Sequence, residues 1–297
     1  MVQTPYIAAM GEGGEPWVNG ASMNNQGVEF TVSFKSDPSS EFQWAVSANI
    51  GTYKTELTDL PSNVINKYAG DGVHDLILGR SPNSAYGLVA DGIFKTQEEV
   101  DAHADQPGKA VGRIRYKDLD GDGVINETYD RTWIGCYDPD FFGGLNFDFA
   151  YKGFDLNLFF EGMFGNDVNS DWKKESDIWL FTNHATRMLG GWSPDNPNSD
   201  IPAISNNTAN QEQRFSSWFI EDGSYIKLRN IELGYTFPTK LIKKMHMSNL
   251  RLYAAAYNVF TLKKFWGDDK YTSFDPERPS YHYLTPFTFN FGINVSF

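Results

Sequence analysis

Asp118-Leu-Asp120-Gly121-Asp122-Gly123-Val124-Ile125-Asn126 is the stretch of this sequence with the most specific chemistry. Carboxylates spaced by single residues can wrap one hard cation, a glycine admits the sharp turn, and a carbonyl such as that of Val124 can add to the oxygen shell. Asn126 stands where a ligand often acts through water. A standard calcium loop closes with a bidentate glutamate, but that position is Tyr129 here, so Asp130 or Glu127 would have to close it. The flanks do not read as helices. The pattern predicts a Ca²⁺ ion that orders a long loop, held by Asp118, Asp120, Asp122, Val124, Asn126 and Asp130. A solvated acidic turn is the plainer reading of the same residues.

Other reactive residues form no such constellation. His74, His103, His184, His246 and His282 include no pair at metal-ligand spacing. There is no Gly-x-Ser-x-Gly elbow, and Gly11–Gly14 lacks the preceding strand and following lysine of a phosphate loop. No carboxylate pair stands out, so no catalytic residue is nominated and the chain is not expected to be an enzyme. Trp172, Trp179, Trp192, Trp218 and Trp266 fall in connecting segments, where they either pack those segments together or offer stacking surfaces to a sugar or a partner.

The chain has 297 residues, a formal charge of −13 and a single cysteine, Cys136. That charge leaves no basic face for nucleic acid, and one cysteine cannot make an internal disulfide. No apolar run is long enough for a membrane-crossing helix, and the first twenty residues do not read as a signal peptide. A membrane β-barrel gives no such hydropathy signal. The 23 Phe, 15 Tyr and 8 Trp suit either a soluble core or the two aromatic girdles of a barrel.

Periodicity decides the elements. Phe287, Phe289, Phe291, Ile293, Val295 and Phe297 hold every odd position at the C-terminus, and Thr288, Asn290, Gly292, Asn294 and Ser296 hold the even ones. Alternate strand side chains point to opposite faces, so one face is apolar and the other small and polar. The same alternation runs through 28–35, 42–50, 145–152 and 154–161. Within 225–237 the apolar phase moves from Ile226 and Leu228 to Ile231, Leu233, Tyr235 and Phe237, which predicts a bulge near Arg229–Asn230. Residues 250–262 are strand-like with two faces that the pattern does not distinguish.

These seven candidate strands are joined alternately by short and long segments. The short ones are 36–40, the Lys152–Gly153 corner and 238–249, the last with room for a helical turn; the long ones run over about 54–143, 165–223 and 263–285. Short turns at one end and long loops at the other are the habit of membrane barrels. Seven strands leave the ends on opposite sides, whereas bacterial barrels close with even numbers, so the chain reads as part of a larger wall.

At this point a family resemblance enters. GGLNFDFAYKGFDLNLFFEGMFGNDV (143–168), SYIKLRNIELGYTFP (224–238), AYNVFTLKKFWGDD (256–269), Asp275-Pro276-Glu277 and, earlier, NNQGVEF (24–30) resemble the C-terminal part of SusC/RagA-type TonB-linked (TonB-dependent) outer-membrane transporters. The resemblance covers nearly the whole chain with its blocks in order. It implies an all-β fold, an antiparallel transmembrane β-barrel segment of about seven strands from a larger plugged barrel, with long extracellular loops. Residues 1–297 would then be the C-terminal portion of the barrel, without plug domain, TonB box or signal peptide. Implied with it are the bacterial outer membrane and its lipid, import of glycan or peptide fragments, a SusD-like surface lipoprotein as lid, and TonB–ExbB–ExbD coupling through the missing N-terminal parts. DxDGDG-like segments also occur in outer loops of that family. The odd-numbered residues Phe287 to Phe297 resemble the signal read during insertion into the outer membrane. Polar-face residues Glu29, Asn146, Asp148, Asn157, Asn290 and Asn294 are the candidates to line a lumen and meet cargo. Two readings compete: a soluble calcium-dependent carbohydrate-binding β-sandwich, which would bury the apolar stripes between two sheets, and a secreted glycoside hydrolase.

Overall fold

The computed structural model describes residues 2–3, 17–61, 76–178, 183–263, 272–279 and 283–297. Its centre is one antiparallel sheet of seven strands. These are β1 (Ser22–Lys35), β2 (Phe42–Asp59), β3 (Phe141–Tyr151), β4 (Phe154–Phe164), β5 (Tyr225–Thr236), β6 (Asn249–Lys263) and β7 (Thr288–Ser296). Strand order in the sheet is strand order in the chain, an up-and-down meander. All seven expected strands are present. β1 and β2 are longer than their alternation suggested, because polar residues carry both strands on toward the loop end.

The turns explain the register. Asp37 accepts the Ser39 backbone N–H at 2.8 Å, and Ser36 N–H reaches the Trp44 carbonyl at 2.8 Å, which closes the β1–β2 turn. Lys152 and Gly153 take φ of +49° and +88°, the conformation that joins twisted strands through two residues. The β5–β6 connection does contain a helical turn, Thr239–Ile242, with Ile242 buried beneath it. Lys240, Lys243 and Lys244 stay exposed.

The expected bulge is at Arg229. Phe159 pairs with Asn230 and Phe160 with Leu228, so Arg229 is passed over. On the other side Asn230 pairs with Tyr257 and Leu228 with Phe260, and Asn258 takes φ of +54°. The paired irregularity assigns the faces of β6. Leu250, Leu252, Ala254 and Ala256 lie opposite the odd-numbered apolar residues of β7, while Arg251, Tyr253, Ala255 and Tyr257 lie opposite its polar ones.

The apolar face of the sheet is bare. Phe291 is 82% exposed, Ile293 66%, Phe289 63% and Val28 70%. Among the described residues no second sheet lies over it; the other four sheets each have two short strands. A sandwich needs that second layer, and the described residues supply none. Aromatic contacts run the height of this face: Phe42 with Tyr151 and Phe154 with Tyr235 near the turns, Phe147 with Phe160 at mid-strand, and Phe141 with Phe164 near the loops. The eleven residues of β4 extend about 36 Å, hence roughly 25 Å of height at the usual tilt of a barrel strand. That is the height of a membrane barrel's apolar band.

The long connections are not simple loops. Residues 76–140 and 165–224 fold against each other around Leu88, Ile93, Ile114, Tyr116 and Ile125, with Trp192 and Trp218 packed on that core. A buried polar set ties the two segments together. Gln106 donates to the Ile114 carbonyl at 2.8 Å and to Asn210 at 2.7 Å; Ile114 N–H donates to Glu212 at 2.8 Å, and Arg113 pairs with Glu212. The short helix Gln97–Ala102 carries a local start signal, with Thr96 accepting the Glu99 N–H and Glu99 accepting the Lys95 N–H.

Candidate functional site

The polar face of the wall is a continuous hydrogen-bonded surface. Asn146 and Asn157 both donate to Asp148, at 2.5 and 2.7 Å; Asn157 also donates to the Asn146 oxygen at 3.0 Å, and Asn230 donates to Asn157 at 2.9 Å. The bulge makes this chain possible. Without the extra residue Asn230 would point to the apolar side; with it, Lys227, Arg229 and Asn230 all serve the polar side. Three of the expected lumen residues, Asn146, Asp148 and Asn157, are thus brought together. Glu29 lies on the same face two strands away from that cluster, and Asn290 and Asn294 lie on edge strand β7.

Ion pairs, missed at the sequence level, run up this face. Near the turns Arg251 bridges Asp155 and Glu232, the latter at 2.7 Å. Toward the loop end Arg229 holds Glu161 at 2.8 Å and pairs with Glu277. Lys227, whose side chain is 2% exposed, sits between Asp275 at 3.2 Å and Glu277. The Lys-Leu-Arg of β5 and the Asp-Pro-Glu of the last loop are therefore two halves of one clasp. Burial pushes the Asp275 and Glu277 carboxyls up, but Lys227 beside both, and Arg229 beside Glu277, hold them below the ordinary carboxylate range. The signal was present in the sequence as a Lys and an Arg two apart in an otherwise apolar-and-polar strand, facing an Asp and a Glu two apart.

Next to the clasp opens a cleft of about 580 Å³, lined among others by Tyr137, Met163, Asn166, Asp167, Asp171 and Glu277. It stands over the loop ends of β4 and β5, where Met163 pairs with Tyr225 on the polar face.

The acidic loop brings some of its carboxylates together. Carboxylate oxygens of Asp118, Asp120 and Asp130 converge to within 4.8 Å of one another. Gly121 and Gly123 take φ of +76° and +86°, and their N–H groups donate to Asp118 at 2.7 and 2.9 Å. Asp130, fully buried, accepts the Leu119 and Asn126 N–H groups at 2.8 and 2.7 Å. Asp122 is outside the convergent trio: its oxygen accepts the Val124 N–H at 2.7 Å. The Asn126 oxygen is taken up by the Thr128 and Tyr129 N–H groups at 2.9 and 3.0 Å. Three carboxylates around one point suit a hard cation.

The remaining candidates are structural where they are described. Trp192 and Trp218 pack the outer body and Trp172 lies edge-on to Phe274 at 4.6 Å. His103 packs on Phe94 at 5.0 Å, and burial lowers its pKa; His184 contacts the Ser176 carbonyl, and His246 occupies a left-handed turn. Trp179, Trp266, His74, His282 and Gly11–Gly14 lie outside the described residues.

No family model matches the chain. It is 29% identical over 297 residues to TonB-dependent receptor P3 of Formosa agariphila and 26% identical over 292 residues to TonB-dependent receptor SusC of Bacteroides thetaiotaomicron, each match covering 94% of this chain. The solved structure of the RagAB peptide transporter contains a chain with the same fold, at a TM-score of 0.75 and 23% identity over 99% of this chain. The chain is similar to these TonB-dependent receptors over most of its own length and shares the fold of that transporter chain. It spans 29% and 27% of the length of those two receptors and 32% of that transporter chain. The open seven-stranded meander, with its ion-paired polar side and its bare apolar side, is the form expected of a barrel segment.

Proposed function

We propose that the polypeptide carrying this chain is an outer-membrane nutrient importer. The bare apolar stripe meets lipid, and the polar face lines the passage through which glycan or peptide fragments move. The observation that carries this reading is the contrast between the two faces of one sheet: phenylalanines exposed on one side, hydrogen-bonded and ion-paired Asn, Asp, Arg and Glu on the other. The process is passage rather than bond cleavage. A SusD-like lipoprotein closes over the folded outer body, and TonB–ExbB–ExbD supplies the energy for transport. Glu29, Asn146, Asp148, Asn157, Asn290 and Asn294 are the wall residues offered to cargo. The name RagAB peptide transporter supports a peptide cargo, and the name SusC supports only the transporter class.

Cell fractionation with uptake tests the reading. The polypeptide is expected in the detergent-extracted outer membrane, with labelled glycan or peptide uptake lost on its deletion and on collapse of the proton gradient. Recovery in buffer without detergent, or uptake indifferent to deletion, would overturn it.

Within this reading the acidic loop binds Ca²⁺ through Asp118, Asp120 and Asp130 and stiffens the outer body. Calcium is expected to raise the thermal midpoint of the purified protein, magnesium less so. The gain should vanish in Asp120→Asn, an exposed ligand whose loss leaves the fold intact. A midpoint indifferent to calcium would remove the ion.

A further inference from the structure

The short turn between β5 and β6 carries charge that nothing in the fold uses. From Leu233 to Lys263 the chain has no acidic residue, in a protein whose formal charge is −13. Two of the cations in that stretch are engaged, Arg251 by Asp155 and Glu232, and Lys263 by the Ser273 and Phe274 carbonyls. The other three, Lys240, Lys243 and Lys244, are exposed and form no ion pair among the described residues. The neighbouring short turns bring Asp37 and Glu41 to the same end of the sheet, and Lys152 there is already paired with Glu41 at 3.0 Å.

The same turn also leaves apolar side chains open. The helical turn Thr239–Ile242 continues through Lys243–Met245 until His246, at φ +58°, ends it. Ile242 is buried, but Leu241 is 61% and Met245 59% exposed. These two are four residues apart and share one flank of the turn, as Lys240 and Lys244 share another. An open apolar flank beside a cationic one is the pattern of a segment that lies in a membrane surface. The location agrees. The turn hangs from Phe237, whose N–H donates to the Leu250 carbonyl at 2.9 Å; Phe237 meets Tyr235 edge-on, and Tyr235 contacts Phe154, where the apolar face ends.

We propose that the β5–β6 turn is an interfacial anchor for anionic phospholipid. Leu241 and Met245 enter the edge of the hydrocarbon at the turn end of the wall, and the ammonium groups of Lys240, Lys243 and Lys244 take headgroup phosphates. The proposal rests on the import reading, which sets the long loops outside, and adds to it a lipid class and the inner leaflet. Lysine suits the place, because its methylene stem lies along apolar surface while the ammonium reaches the headgroup layer. Each lysine close to an anionic surface adds an attraction that salt screens. A soluble anionic polymer would satisfy the lysines and leave Leu241 and Met245 in water; a neutral bilayer would do the reverse. Anionic lipid satisfies both.

Native mass spectrometry of the whole transporter, after equilibration in neutral detergent with equal amounts of phosphatidylglycerol and phosphatidylcholine, reads the preference. Phosphatidylglycerol is expected to be retained about tenfold or more over phosphatidylcholine, and about 1 M salt during equilibration to remove the difference. In Lys240→Gln/Lys243→Gln/Lys244→Gln the ratio should fall to under about threefold, while Lys152→Gln, at the same end but already paired, leaves it unchanged. Leu241→Ser/Met245→Ser should weaken retention of both lipids without altering their ratio. An unchanged circular-dichroism melt separates lost binding from misfolding in each variant. Equal retention of the two lipids by the unaltered protein, a preference that survives the triple lysine variant, or retention indifferent to Leu241→Ser/Met245→Ser would overturn the anchor. Binding of isolated peptidoglycan that the triple variant loses, with no lipid preference in the unaltered protein, would assign the lysines to the cell wall instead. Failure of the lipid preference alone leaves import standing; absence of the polypeptide from the outer membrane would remove both.

Discussion

Lys227 shows how much one residue carries in this wall. Its ammonium is buried on the polar face between Asp275 and Glu277, so its removal strands two carboxylates without their cation. Breaking a buried pair from one side costs about 3–5 kcal/mol. Lys227→Met is therefore expected to lower the thermal midpoint in detergent strongly, and Lys227→Met/Asp275→Asn/Glu277→Gln to recover much of the loss, as differential scanning calorimetry would read. The pH dependence follows from the same group. Asp275 and Glu277 are held below their ordinary values of 3.8 and 4.5 in the folded state. Depressed carboxylates contribute stability that is fully present above those ordinary values and is lost as pH falls through the folded-state values. The last loop should stay clasped at neutral pH and release only below about pH 4, visible as hydrogen exchange in residues 272–279. Release near pH 6 would point to another group.

At the scale of strands, side-chain alternation and backbone packing are the same fact seen twice. Gly292 is on the polar side of β7, opposite Tyr253, and a Cβ there would overlap the tyrosine ring. Gly292→Val is expected to weaken the β6–β7 pairing by about 1–3 kcal/mol, and Tyr253→Ala to rescue part of it, measured by heat-modifiable migration in electrophoresis. An unaffected Gly292→Val would mean the ring has room to swing aside. The seven strands were legible because period-two alternation is a local property: six apolar positions from Phe287 to Phe297 need no knowledge of the fold. The bulge was legible for the same reason, as a phase change between Leu228 and Ile231. The faces of β6 were not, because Ala254, Ala255 and Ala256 are equally small and only pairing with Phe291, Asn290 and Phe289 sorts them. The outer body was illegible too. Its buried contacts, such as Arg113 with Glu212, join residues about a hundred positions apart, and no local window contains them. The acidic loop shows the boundary within one motif: spacing nominated six ligands, yet only the carboxylates of Asp118, Asp120 and Asp130 converge, and which carboxylates meet in space is set by the fold of the loop rather than by spacing.

For the whole molecule, the decisive contrast is between a polar face and a bare apolar one. Phe291 and Asn290 are adjacent residues of β7 that point to opposite sides. Phe291→Arg is expected to cost about 2–4 kcal/mol near the bilayer midplane, Asn290→Arg about 1 or less. Urea titration of protein folded into phospholipid vesicles would read the difference. Equal costs at the two positions would mean that lipid does not touch the phenylalanine stripe.

The meander also dictates an order of assembly. Among the described residues each of the seven strands is hydrogen-bonded to its neighbours in their chain order, so hairpins can be added one at a time along a single advancing seam. No crossover has to wait for a distant partner, and the tight Lys152–Gly153 corner adds almost nothing to the entropic toll of closing a hairpin. Even the outer connection between β2 and β3, some eighty residues long, raises that toll only by the logarithm of its length. Such a chain can elaborate its surface body freely while the route by which the wall is laid down stays the same.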